Sequence, residues 1–269
     1  MDARKEIAGS IENSFIESKA RIEFSALRKF RTTAQFGSAR KFPMNLRHVS
    51  SLTVLTVCLS GTLPAQSAQE IRLDSTQKLE LHHLQADVVT YLGRTAVRIA
   101  NTQTPASGYG EGLAIVRGVS LRDGSLEVTL SGDTAPHAPP EWRGFVGIAF
   151  HVKNRSQFEC FYIRPKNGRS EDQQQRNHST QYISIPGFPW DKLRRETPGK
   201  YESYVDLIPG QWTGLKIEVK GKIAKLYVNG AEQPTLIVND LKQPSSNRGI
   251  ALWVGQGTIA HFADLKITP

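Results

Sequence analysis

Residues 213–230 read TGLKIEVKGKIAKLYVNG, and this stretch decides the fold. Leu215, Ile217 and Val219 alternate with Lys216, Glu218 and Lys220, so an extended chain puts the apolar set on one face and the charges on the other. After the single Gly221 the pattern resumes, with Ala224, Leu226 and Val228 set against Lys225 and Tyr227. Two such strands joined at a glycine predict a tight hairpin, and Asn229-Gly230 is a strong turn signal leading into the next strand. Leu215, Ile217, Val219, Leu226 and Val228, with Ile250 and Leu252 farther on, are the expected inter-sheet core.

Working outward, short runs of the same kind recur along the chain. They lie at 78–82, 87–92, 96–101, 112–117, 125–131, 144–151, 157–164, 181–185, 201–206, 213–220, 222–228, 235–238, 249–254 and 260–267. Between them stand turn residues, and the proline-rich 134–141 reads as a surface loop. No segment after residue 68 sustains a helical period beyond three turns, and no solenoid or propeller repeat is present. Many closely spaced strands in about 200 residues predict an all-β, two-sheet antiparallel sandwich.

The N-terminal part reads differently. The only methionines are Met1 and Met44. After Met44 come Arg47 and His48, an apolar run over 49–63, and then Pro64-Ala65-Gln66-Ser67-Ala68, with Ala65 and Ser67 placed for cleavage. We expect 44–67 to be a signal peptide, 68–269 the folded sandwich, and 1–43 an upstream extension outside the fold. Val57 before Cys58 does not suit a lipoprotein signal, and the run is too short and too Ser/Thr-rich for a membrane span. No integral span is expected in the mature chain, which retains one cysteine, Cys160. One thiol cannot close an internal disulfide, so the core must carry the stability.

The formal charge of +9 is less telling than it looks. Of 34 Lys and Arg, nine precede residue 44 and Arg47 is another; five of the 25 acids also precede residue 44. From residue 68 onward, 24 basic side chains face 20 acidic ones, a solvated surface and no nucleic-acid footprint.

Candidate site residues concentrate in 143–190. The stretch RGFVGIAFHVKNRSQFECFYIRP (143–165) holds two apolar runs, and NGRSEDQQQRNHSTQYISIPGFPW (167–190) adds a dense polar and aromatic set. Strands followed by convergent donors suit a sheet-borne binding site. Glu159, inside an apolar run, is either an acid/base group or sugar-hydroxyl acceptor, or else the structural partner of Arg164 or Arg176. Tyr162 and Arg164 should project from the face opposite Glu159. Arg176, Asn177, His178, Gln181 and Tyr182 offer donors and acceptors for a hydroxyl-rich ligand, with Tyr182 and Trp190 available to stack on sugar rings. The structural alternative for the segment is a self-satisfied loop pinned by pairs such as Arg169 with Asp172. Scattered histidines and the lack of an Asp-x-Asp-x-Asp series argue against a metal, and no cofactor fingerprint is present.

Together, GFVGIAFHVKNRSQFECFYIRP, the NGR and RNHSTQY segments with their PW, and the closing run WTGLKIEVKGKIAKLYVNGAEQPTLIVNDLK with GIALWVGQGTIAHFADLKI resemble bacterial exported concanavalin-A-like lectin/glucanase proteins. These are laminin-G-like and stand near the 3-keto-disaccharide hydrolase group. The resemblance covers nearly all of 68–269. It implies a jelly-roll sandwich whose concave sheet cradles sugars, peptides or polysaccharide chains; laminin-G-like relatives often hold calcium, for which Glu171-Asp172 supplies one ligand at most. The glucanases of this fold carry their acids in a Glu-x-Asp-x-x-Glu run, which is absent here. The expected function is recognition of a carbohydrate or cell-envelope glycan by a periplasmic or secreted domain, without a cofactor. The alternatives are a glycoside hydrolase or lyase, a 3-keto glycosidase included, using Glu159 or His178, or a structural interaction domain with no small ligand.

Overall fold

The computed structural model describes residues 67–82, 84–101, 112–244, 246 and 248–269. The expected extension, signal peptide and cleavage site therefore lie outside the described residues, apart from Ser67 at the edge. The strands are β1 (Gln69–Ile71), β2 (Leu79–His82), β3 (Gln85–Tyr91), β4 (Arg94–Asn101), β5 (Gly112–Val116), β6 (Gly124–Thr134), β7 (Val146–Asn154) and β8 (Gln157–Ile163). Then follow β9 (Thr180–Ile185), β10 (Glu202–Ser203), β11 (Thr213–Lys220), β12 (Ile223–Val228), β13 (Leu236–Val238), β14 (Gly249–Val254) and β15 (Thr258–Thr268). Two short helices, α1 (Gln173–Asn177) and α2 (Trp190–Glu196), interrupt them.

The strands form two antiparallel sheets, as the jelly roll requires. The eight-stranded sheet runs β13-β12-β11-β6-β15-β4-β3, with β1 beside β15; the seven-stranded sheet runs β10-β9-β8-β7-β14-β5-β2. The hairpin read at 213–228 is β11–β12, and Ile217 lies opposite Leu226 on one side and Leu126 of β6 on the other. Asn229 and Gly230 both take positive φ (53° and 71°), the backbone a two-residue hairpin turn demands. Leu215, Ile217, Val219, Leu226 and Val228 meet Ile148, Phe161, Ile250 and Leu252 of the other sheet in one buried cluster.

The seven-stranded sheet is also apolar on its far face. Leu113, Ala149, Cys160, Tyr162, Ile183 and Trp253 form a second cluster there, with Phe145 and Trp190 packed against it. Burial on both faces explains why 144–151 and 157–164 read as nearly continuous apolar runs without alternation. Gly147 marks the closest approach of β7 and β8: a Cβ there would stand 2.2 Å from the Phe161 carbonyl oxygen. Neither helix was expected from the sequence, because five and seven residues are too few to display a helical period. Asp172 caps α1, accepting from the Gln174 amide at 2.8 Å.

Candidate functional site

The pleat of β8 separates the candidate residues. Glu159 points between the sheets with Phe161 and Ile163, whereas Tyr162 and Arg164 point outward, as the alternation predicts. Glu159 is fully enclosed. Its Oε2 lies 2.7 Å from His151 Nδ1, and its Oε1 accepts from the Tyr182 hydroxyl and from the amides of Lys242 (2.8 Å) and Gln243 (3.1 Å). The structural alternative for Glu159, an ion pair with Arg164 or Arg176, is replaced by this set, since Arg164 occupies the opposite face. His151 reaches Glu159 because it sits at φ 50° where the β7–β8 register shifts, which breaks the strand alternation.

Tyr182 also lies between the sheets and is fully buried, so it has no ring face for a sugar. Burial, reinforced by Glu159, pushes its phenol far above the ordinary range and keeps it a donor. The expectation that Tyr182 faces solvent beside Trp190 is corrected by the parity of β9: Gln181 and Ile183 are the outward residues of that strand.

On the outer face the remaining residues meet. Arg164 donates to the Tyr162 hydroxyl (2.9 Å), Gln181 Oε1 (3.0 Å), the His178 carbonyl (2.8 Å) and Glu202 Oε1 (3.2 Å). Glu202, opposite Gln181 in the β9–β10 ladder, takes a second arginine, Arg194, through Nε (3.0 Å) and Nη2. Such charge-assisted bonds fix the floor of this face. Trp190, half-buried at the start of α2, lies beneath two guanidinium groups, Arg194 at 4.8 Å and Arg164 at 6.0 Å from its ring centre.

The rim is more open. His178 places Nδ1 3.0 Å from Glu202 Oε2 and keeps a quarter of its side chain exposed. Burial lowers its pKa; Glu202 pulls the other way, and Arg194 and Arg164 offset that pull, so the ring is mainly neutral at pH 7. Arg176 donates to the Tyr204 hydroxyl at 3.2 Å and lies 5.1 Å over its ring, while Tyr204 is 42% exposed. Asn177 is exposed and accepts from Gln173 Nε2 at 2.8 Å. Arg169, expected to pair with Asp172, instead grips Asp206 at 2.7 and 2.9 Å, because Asp172 is engaged as the cap of α1.

Arg194, Glu202 and Tyr204 were not among the residues singled out from the sequence. Glu202 joins the site only through the register of a two-residue strand, which no local pattern announces. Exposed Tyr204, two residues beyond it, is the one feature that could have been noticed.

No protein-family model and no curated protein sequence matches this chain. Solved structures do share the architecture. A carbohydrate-binding module of family 66 from Bacillus subtilis superposes with a TM-score of 0.44 at 12% identity, covering 70% of this chain and 96% of the module. A Bacillus licheniformis β-glucanase gives 0.42 at 13% identity over 75% and 98% of the two chains. A Bacillus subtilis protein with a galectin-like fold gives 0.47 at 10% identity over 74% and 94%.

Proposed function

We propose that this protein is an exported carbohydrate-binding domain that takes a glycan, cell-envelope glycan included, on the outer face of its seven-stranded sheet. The observation that carries the reading is a pair of partly exposed aromatic rings, Trp190 beneath Arg194 and Arg164 and Tyr204 beneath Arg176, set beside His178 and Asn177. Sugar C–H faces stack on the rings, and hydroxyls pair with the polar rim. Tyr162, Arg164, Gln181 and Glu202 serve as the saturated support beneath. A glycan-array screen followed by titration tests this. Trp190→Ala should weaken binding per folded molecule about tenfold, in line with about 1–1.5 kcal/mol for a lost ring contact, alongside a lower thermal midpoint because the ring also packs on the outer apolar cluster. Lowered stability with unaltered affinity per folded molecule would make the segment structural.

One observation favours chemistry as a second reading. The neutral, partly exposed His178 beside buried Glu202 has the form of a base with its orienting carboxyl group. Product release from any bound glycan, lost in His178→Ala while binding persists, would establish a hydrolase or lyase.

A further inference from the structure

The opposite sheet carries a second cluster. Across most of the outer face of the eight-stranded sheet the pattern is the ordinary solvated one, with Lys216 opposite Glu127 and Glu127 opposite Lys266. One end departs from it. Ser131 on β6 lies opposite His261 on β15, and Trp212 immediately precedes β11 on its other side. Tyr91, from the tip of the β3–β4 hairpin, stacks on His261 at 3.6 Å and 4°, and donates its hydroxyl to the Gly210 carbonyl at 2.6 Å. Trp212 meets both rings edge-on, at 5.5 Å from Tyr91 and 6.4 Å from His261.

Two polar atoms of this cluster are unused. Ser131 is 1% exposed and its hydroxyl has no partner, and the Trp212 Nε1–H is likewise buried and unpaired. Buried polar groups are normally hydrogen-bonded, so two orphans at neighbouring register positions beside the Tyr91–His261 stack mark a place where a ligand supplies the missing partners. The Trp212 indole is only half-buried and is anchored by no hydrogen bond. One pleat away, on the same face, Thr129 and Gly214 lie opposite each other and line a groove of about 730 Å³. Nothing stands within 4 Å of where a Gly214 side chain would begin, so the groove floor is open. Its walls carry both signs, Glu70, Asp74, Glu127 and Asp264 with Arg72, Lys216 and Lys266.

We infer that the outer face of the eight-stranded sheet is a second ligand site, taking a neutral saccharide whose hydroxyls engage Ser131 and the Trp212 indole beside His261 while the chain continues along the groove over Gly214. Walls of both signs offer a charged polymer no single-sign track, and hydroxyl groups answer both orphans, since each can donate to Ser131 and accept from the indole. This site is separate from the Trp190 face and would make the protein bivalent.

The test uses the full chain labelled with ¹⁵N at its tryptophan indoles, titrated to millimolar levels with a panel of neutral hexose and N-acetylhexosamine oligosaccharides. The Nε1–H signals are assigned with Trp212→Phe and Trp190→Phe. The expected result is a saturable shift of the Trp212 signal with at least one oligosaccharide. Ser131→Ala should leave the thermal midpoint unchanged or raised, since it removes an unpaired buried hydroxyl, and should weaken that binding on the order of tenfold. A shift confined to Trp190 would overturn this inference and leave the first site standing; a shift confined to Trp212 would do the reverse. A Trp212 signal unmoved by every oligosaccharide, or moved equally in Ser131→Ala, would also overturn it.

Discussion

Tyr182 donates its phenolic hydroxyl to the Glu159 carboxyl group from the neighbouring strand, in the middle of the core. With His151 and the amides of Lys242 and Gln243, it turns the most suggestive acid of the chain into a clamp. The clamp ties the segment after β13 to the face of the seven-stranded sheet.

Glu159→Gln keeps the shape but places an amide group among donors, so part of the set loses its acceptor. The expected loss is about 1–3 kcal/mol, the range for leaving a buried hydrogen-bonding group without its partner. Denaturant unfolding measures it. Lost glycan binding or turnover in a variant of parental stability would return Glu159 to the functional site.

Ile217 is fully buried between the sheets, whereas the Lys216 side chain is 44% exposed on the reverse face. Ile217→Ala should therefore cost about 2–5 kcal/mol, cavity included. Lys216→Ala should change stability by less than about 0.5 kcal/mol despite its ion pair with Glu218. Equal effects would overturn the β11 register.

His261 introduces a pH dependence. Burial, assisted by the Arg98 charge, lowers its pKa to about 4, against about 6.5 in the unfolded chain. Between those values the unfolded state binds the extra proton, so stability is full above about pH 6.5 and falls as the pH drops toward 4. His261→Gln should flatten this part of the curve. Asp240 titrates lower: burial resists its ionisation, but hydrogen bonds from Lys242, Lys200 and Tyr201 prevail and hold it at about 2. His178, whose pKa burial also lowers, shares the window, so the part due to His261 is the difference between parent and variant. Parallel curves for parent and variant from pH 7 to 4.5 would refute the assignment.

The N-terminus of the exported protein should fall between Ser67 and Glu70, from translation that starts at Met44. N-terminal sequencing of the material outside the cytoplasm checks this. A mature chain that retains any of residues 1–43 would show that the upstream segment belongs to the protein.

The alternation of 213–228 was enough to determine the hairpin, its inward residues and the all-β class, because the pleat makes facing a local property of period two. Asn229-Gly230 determined the turn that follows β12 in the same way, through backbone conformations that few residues adopt. Opposite projections of Glu159 and Arg164 were also legible along one strand. Whether either faced core or solvent was not, since both faces of the seven-stranded sheet are apolar. That choice fell to tertiary structure: the register shift that carries His151 to Glu159, the parity that buries Tyr182, and the ladder that sets Glu202 beside Gln181. The Ser131, Trp212 and His261 cluster was invisible for the same reason. Its members come from strands far apart in sequence, and only long-range hydrogen-bond register places one beside another.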